Sequence, residues 1–119
     1  MTPRLGHIEL FVRDPIAVQA FYVDILGFRL EEVQGGKYVW VDAGGLSILL
    51  RPGRPNCAAA TQYGDANSAL VLYVDDADLA AAELAERGVV FRGTDGSPKC
   101  RTFTDPEGHW FQLVNPADL

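Results

Sequence analysis

Leu5-Gly6-His7-Ile8-Glu9-Leu10-Phe11-Val12-Arg13-Asp14-Pro15 opens with alternation and then switches abruptly to helix-start chemistry. Alternation sends Ile8, Leu10 and Val12 to one face of a strand and His7, Glu9 and Phe11 to the other. Asp14 is a natural N-cap, and Pro15 fits the first helical position, where its missing N–H costs nothing. Val18, Phe21, Tyr22 and Ile25 continue as the apolar stripe of a helix that Gly27 stops. Three further strands are predicted, at Phe28 to Val33, Lys37 to Asp42 and Leu46 to Leu50. Gln34-Gly35-Gly36 and Ala43-Gly44-Gly45 are the turns between them, and Pro52 ends the series. The order is βαβββ.

The chain then uses this plan again. Ile8, Val12 and Asp14 recur 62 positions later as Leu70, Val74 and Asp76. Gly27 recurs 61 positions later as Gly88, and Pro52 recurs 64 positions later as Pro116. The second copy predicts a strand at Ala69 to Val74 and a helix opened by Asp75-Asp76, with a thin stripe of Ala77, Ala81, Leu84 and Gly88. Short strands follow at Val89 to Arg92, Cys100 to Thr104 and His109 to Val114, the last two joined by the type I turn Asp105-Pro106-Glu107-Gly108. The expected fold class is α+β. One domain spans 1–119, with modules at 5–52 and 68–116 and a linker over 51–68. Two copies of one module usually face each other across a cleft, so matching positions can be compared. A linker this long in so small a domain needs a functional or topological reason.

Composition narrows the partners. The chain has 119 residues, 48% of them hydrophobic, and a formal net charge of −6. A single domain of this size buries roughly 60% or more of its unfolded surface, enough for a core without staples. The acidic balance argues against nucleic acid and anionic membrane, both of which need clustered Lys and Arg. No apolar run approaches the ~18 residues of a membrane span, and the N-terminus lacks a signal-like apolar region, so the expectation is a cytoplasmic protein. Cys57 and Cys100 form no CxxC and are expected as free thiols.

The paired βαβββ plan carries the stretches Gly6-His7-Ile8-Glu9-Leu10, Phe21-Tyr22 with Leu26-Gly27-Phe28, and Asp105-Pro106-Glu107-Gly108-His109. With these, nearly the whole chain resembles the vicinal oxygen chelate superfamily. That group includes glyoxalase I, extradiol dioxygenases, fosfomycin-modifying enzymes, methylmalonyl-CoA epimerase and the bleomycin-resistance binding proteins. The resemblance implies curled mixed sheets around a cleft, helices outside, and a dimer pairing modules across chains. It also implies four candidate metal positions, in the first and last strands of each module. Here these are His7, Ile48, Ala69 and Gln112. Two of the four cannot ligate, and divalent first-row metals want three or four N, O or S ligands. The expectation is therefore no metal cofactor, with His7 and Gln112 as the alternative ligand pair.

Aromatic residues are expected to fill the cleft. Aliphatic side chains take one face of each sheet, which leaves Phe11, Tyr38, Trp40, Tyr73 and Trp110 on the other, with His7, Glu9 and Gln112. Large rings around a few polar groups suit a small-molecule pocket. Glu9 shares a face with His7 at roughly 6–7 Å along the backbone. Among aromatic walls its pKa could rise and make it a general base. Its bland alternative is a solvated rim residue. His109 is expected to pack in its turn. There is no Ser/His/Asp constellation and no phosphate-binding GxGxxG.

Two functions are open at this point. One is a metal-free binding protein, similar to bleomycin-resistance proteins, that sequesters a planar aromatic compound; the acidic charge suits a cationic one. The other is a metal-dependent lyase, isomerase or dioxygenase of the same fold. A homodimer is expected in either case, because pairing would cover sheet edges that a thin second helix leaves open.

Overall fold

The computed structural model describes residues 1–54 and 58–119, so Cys57 lies outside the described residues. The chain forms two compact units, Met1–Cys57 and Ala58–Leu119. In the first, β1 (Ile8–Val12) leads into α1 (Pro15–Ala20), followed by β2 (Arg29–Gln34), β3 (Tyr38–Asp42) and β4 (Ser47–Pro52). The strand order is β1-β4-β3-β2, with β1 parallel to β4 and the other pairs antiparallel. In the second, β5 (Leu70–Tyr73), α2 (Ala77–Glu86), β6 (Arg101–Thr104) and β7 (Trp110–Val114) repeat the path, with strand order β5-β7-β6.

The punctuation residues act as their chemistry requires. Asp14 Oδ1 accepts from Ala17 N at 3.1 Å, and Asp76 Oδ1 accepts from Leu79 N at 3.0 Å, so each helix starts on an Asp cap. Gly27 and Gly88 both take positive φ just after the helical segments, as stop positions demand. The first helix departs from the expected regular winding. Beyond Ala20 it widens into a π turn over Phe21–Ile25, with Leu26 N bonding Phe21 O at 2.9 Å. Two adjacent rings, Phe21 and Tyr22, are both buried there, and the wider turn brings neighbouring positions onto one face.

Each sheet has one aliphatic face. In the first unit Val12, Val39, Val41, Ile48 and Leu50 are buried with Val18, Phe21 and Tyr22 of the helical segment. In the second, Phe103 and Phe111 stack at 5.3 Å and are buried with Leu113, Ala81 and Leu84. Leu72 is only half-buried because it lies on the edge strand β5.

The predicted strand at Val89 to Arg92 does not form. Arg92 N still donates to Thr102 O at 2.7 Å, and Thr102 N donates to Gly93 O at 3.1 Å. Beyond this lies a single bridge, Thr94 to Arg101. Only four residues separate Gly88 from Gly93, and Gly93 itself turns to positive φ, so an extended run cannot build a ladder. By contrast β2, its counterpart, is a full strand with a bulge between Leu30 and Glu32.

Candidate functional site

The face of the first sheet opposite its aliphatic side carries a connected row of polar and aromatic groups. Glu9 on β1, Leu49 on β4, Trp40 on β3 and Glu32 on β2 stand in register across it. His7 Nε2 lies 2.8 Å from Glu9 Oε2, and Arg51 Nη1 lies 3.3 Å from Glu9 Oε1. The His7 and Trp40 rings meet edge to face at 4.7 Å, and Trp40 Nε1 donates to Gln34 Oε1 at 3.0 Å. Arg51 lies 5.6 Å from the centre of the Tyr38 ring. His7, Glu9, Tyr38 and Trp40 are therefore brought together as the alternation predicts, and Arg51 joins them. Arg51 was not legible because the strand was expected to end at Leu50; β4 runs two residues further, to Pro52.

The electrostatics of this row change the role of Glu9. Its hydrogen bond with His7, chiefly, and the Arg51 charge hold the carboxyl below its ordinary value, although partial desolvation opposes them. Of the two readings open for Glu9, a general base with a raised pKa is not what these neighbours produce: Glu9 is a partly exposed, ion-paired carboxylate held below its ordinary value.

The equivalent face of the second sheet is covered at its centre. Gln112 on β7 stands opposite Val71 on β5 and Thr102 on β6. Trp110 shares that face, two residues away. The segment around Ala59–Asp65 lies over them. Trp110 Nε1 donates to Ala60 O at 2.9 Å, and the Trp110 and Tyr63 rings meet edge to face at 5.9 Å. Gln112 Nε2 donates to Tyr63 Oη at 2.9 Å. Arg92 fastens the segment: its guanidinium sits 4.6 Å over the Trp110 ring, donates to Thr61 O at 2.9 Å and reaches Thr104 Oγ1 at 3.3 Å. Glycine is required at 108, where a Cβ would come within 2.4 Å of Ala59 Cβ. Trp110 thus stands on its predicted face but is only 3% exposed. Tyr63 was the missed residue, and its signal was available, since it is the sole aromatic in the 51–68 linker.

Phe11 and Tyr73 lie on the edge strands β1 and β5 and are both exposed. His109 packs in its turn as expected. Asp105 Oδ1 accepts from the Glu107 and His109 backbone N–H groups at 2.8 and 2.9 Å, and Asp105 Oδ2 lies 2.8 Å from His109 Nδ1. Cys100 is buried, and burial pushes its thiol pKa up, so it is a poor nucleophile.

The strand registers also correct the candidate metal positions. Ile48 stands opposite Ile8 and Val41, on the aliphatic face, and the counterpart of Gln112 is Leu49. Leu49 pairs with Glu9 just as Gln112 pairs with Val71, which lies 62 residues after Glu9. The position still cannot ligate. Among the described residues no group of three or more His, Cys, Asp or Glu side chains could hold a metal ion. His7 and Glu9 make only a pair, and they bond to each other. The donor set does not fit a first-row divalent cation, which wants three or four ligands. Among the described residues, no helix is long and apolar enough to cross a membrane.

Comparison with known proteins follows this geometry. No curated protein matches the chain. Among solved structures, a lactoylglutathione lyase from Agrobacterium tumefaciens is 17% identical with a TM-score of 0.73, over 97% of this chain and 95% of that one. An antibiotic binding protein from Streptomyces sp. CB03234 is 26% identical with a TM-score of 0.65, over 97% and 99%. A glyoxalase/bleomycin resistance protein from the same organism is 31% identical with a TM-score of 0.62, over 91% and 99%. The model of the Glyoxalase/Bleomycin resistance protein/Dioxygenase superfamily matches residues 4–113. With two copies of the same strand-helix plan and that match over nearly its whole length, the chain belongs to this superfamily.

Proposed function

We propose that the protein is a metal-free small-molecule-binding protein that sequesters a planar aromatic compound, and that the acidic chain favours a cationic one. The observation that carries this reading is the first-unit face, where Trp40 and Tyr38 flank a carboxylate already paired with His7 and Arg51. Rings supply contact area and a fixed hydrogen-bonding row supplies orientation, the division of labour that small-molecule sites use. The lowered pKa of Glu9 makes it a weaker base, which supports binding over proton-transfer chemistry. Similarity to an antibiotic binding protein at 26% identity supports the same direction.

Two further parts belong to this proposal. The protein works without a resident metal, because two of its four ligand positions, Leu49 and Ala69, are apolar. It also works as a homodimer in which a second copy covers exposed apolar residues such as Phe11, Leu30 and Val33. Titration with 9-aminoacridine, a planar monocation, should quench tryptophan emission saturably, and Trp40→Ala should abolish most of that signal. A linear, unsaturable response would remove the reading. Elemental analysis after dialysis should give far less than one metal per chain; about one per chain, lost in His7→Ala, would restore the enzyme alternative. Sedimentation should give twice the 13.0 kDa chain mass; a single-chain mass at micromolar concentration would remove the dimer.

A further inference from the structure

Gln112 is 6% exposed, yet its side-chain carbonyl Oε1 is buried and accepts no hydrogen bond. Its amide nitrogen is satisfied by Tyr63 Oη. The obvious neighbouring donor is spent, since the Thr102 hydroxyl donates to Arg92 O at 2.8 Å. A buried acceptor without a partner costs free energy on the order of 1–3 kcal/mol, so a retained one points to a group that satisfies it in the working state. The surroundings define that group. On one side of Gln112 stand the Tyr63 and Trp110 rings. On the other, in register across the edge strand, stand Val71 at 45% exposed and, two residues on, Tyr73 at 63% exposed. The acceptor is thus flanked by apolar and aromatic surface, part of it open to solvent. The Arg92 guanidinium lies 4.6 Å over the Trp110 ring.

We propose that Gln112 Oε1 is the polar anchor of a ligand site within the second unit, accepting a hydrogen bond from a neutral hydroxyl or N–H carried on the edge of an aromatic ring system. This deepens the proposed function and rests on it, adding a donor requirement that a merely apolar pocket would not impose. An acceptor held in a neutral, largely dry setting rejects an analogue whose donor is methylated, because the carbonyl is then left unpaired and a methyl group is pressed against it.

The test is a matched pair of probes, 2-naphthol and 2-methoxynaphthalene, titrated calorimetrically into the full chain. The wild type should bind 2-naphthol about fivefold to tenfold more tightly, the worth of one hydrogen bond to a buried acceptor. Gln112→Met keeps the size and loses the acceptor, so the two probes should then bind within about twofold of each other. In the wild type, the Gln112 side-chain carbonyl ¹³C resonance should move on adding 2-naphthol and stay in place with 2-methoxynaphthalene, a reading that does not depend on the variant folding. Equal binding of the two probes to the wild type would overturn the anchor and leave the aromatic-binding reading intact. Preference for 2-naphthol that persists in Gln112→Met, or a carbonyl resonance that ignores it, would do the same. Failure of both probes to bind at all would overturn the anchor, whereas the proposed function falls only if 9-aminoacridine also fails to bind saturably.

Discussion

The two sheets are built on one plan and finished differently. In the first, the row Glu9, Leu49 and Trp40 is charged at one end and linked to His7 and Arg51, with Glu9 and Trp40 half-buried and Leu49 buried between them. In the second, the matching row Val71, Gln112 and Thr102 carries no charge, and the Ala59–Asp65 segment lies against its buried side. The aliphatic faces, by contrast, are alike. Duplication fixes the face that packs against a helix, because any departure there costs core energy. The opposite face is free to diverge, and its divergence separates a row that carries a paired carboxylate from a row of uncharged side chains.

The largest effect expected from this contrast concerns the two tryptophans. Trp110→Ala should lower stability by about 3–5 kcal/mol, as removal of a buried ring does. Trp40→Ala should leave the protein folded and weaken planar aromatic ligands several-fold to about a hundredfold. Chemical denaturation and fluorescence titration of both variants separate these outcomes; equal destabilisation would erase the distinction between the faces. The aliphatic faces provide the control. Leu50→Ala and Leu113→Ala should each cost about 2–5 kcal/mol, one in each unit, with little change in affinity of the folded fraction.

A smaller effect tests what fastens the covering segment. Arg92→Ala removes the guanidinium from Trp110 and the bonds to Thr61 and Thr104, and should cost about 1 kcal/mol. Amide hydrogen exchange should speed up around residues 59–65, with no change in the first unit. Uniform loss of protection across both units would mean that Arg92 supports the fold generally.

The smallest effect is electrostatic. Glu9 has a folded-state pKa below its ordinary 4.5, so the folded protein binds protons at this site less readily than the unfolded chain. Its contribution is present above the ordinary value and is lost as pH falls through the lowered one. In Glu9→Gln the decline of stability between about pH 5 and pH 3 should be shallower than in the wild type. Solvent exposure of the pair keeps the difference small. An unchanged slope would mean that the His7–Glu9–Arg51 row holds no net energy.

The sequence was most informative where chemistry is local. Asp14-Pro15 and Asp76 announced helix starts because capping involves only neighbouring residues. Alternation assigned His7, Glu9, Trp40, Trp110 and Gln112 to their faces because successive strand residues must point opposite ways. It misjudged Val89 to Arg92, whose apolar content suggested a strand that the bracketing glycines do not allow. It also placed the counterpart of Gln112 one residue away, at Ile48, since a shift of one position along a strand exchanges the faces and only hydrogen-bonded register fixes it.

Taken by itself, then, the sequence determined the duplicated plan, the superfamily and the membership of each face, all of which follow from periodicity and turn chemistry. Tertiary structure decided which of those face residues are available. Ion pairing of Glu9 required an arginine 42 positions away, and burial of Trp110 required a backbone carbonyl 50 positions away. Contacts over such separations depend on how strands register and how a loop returns, and neither is encoded in the spacing of apolar residues.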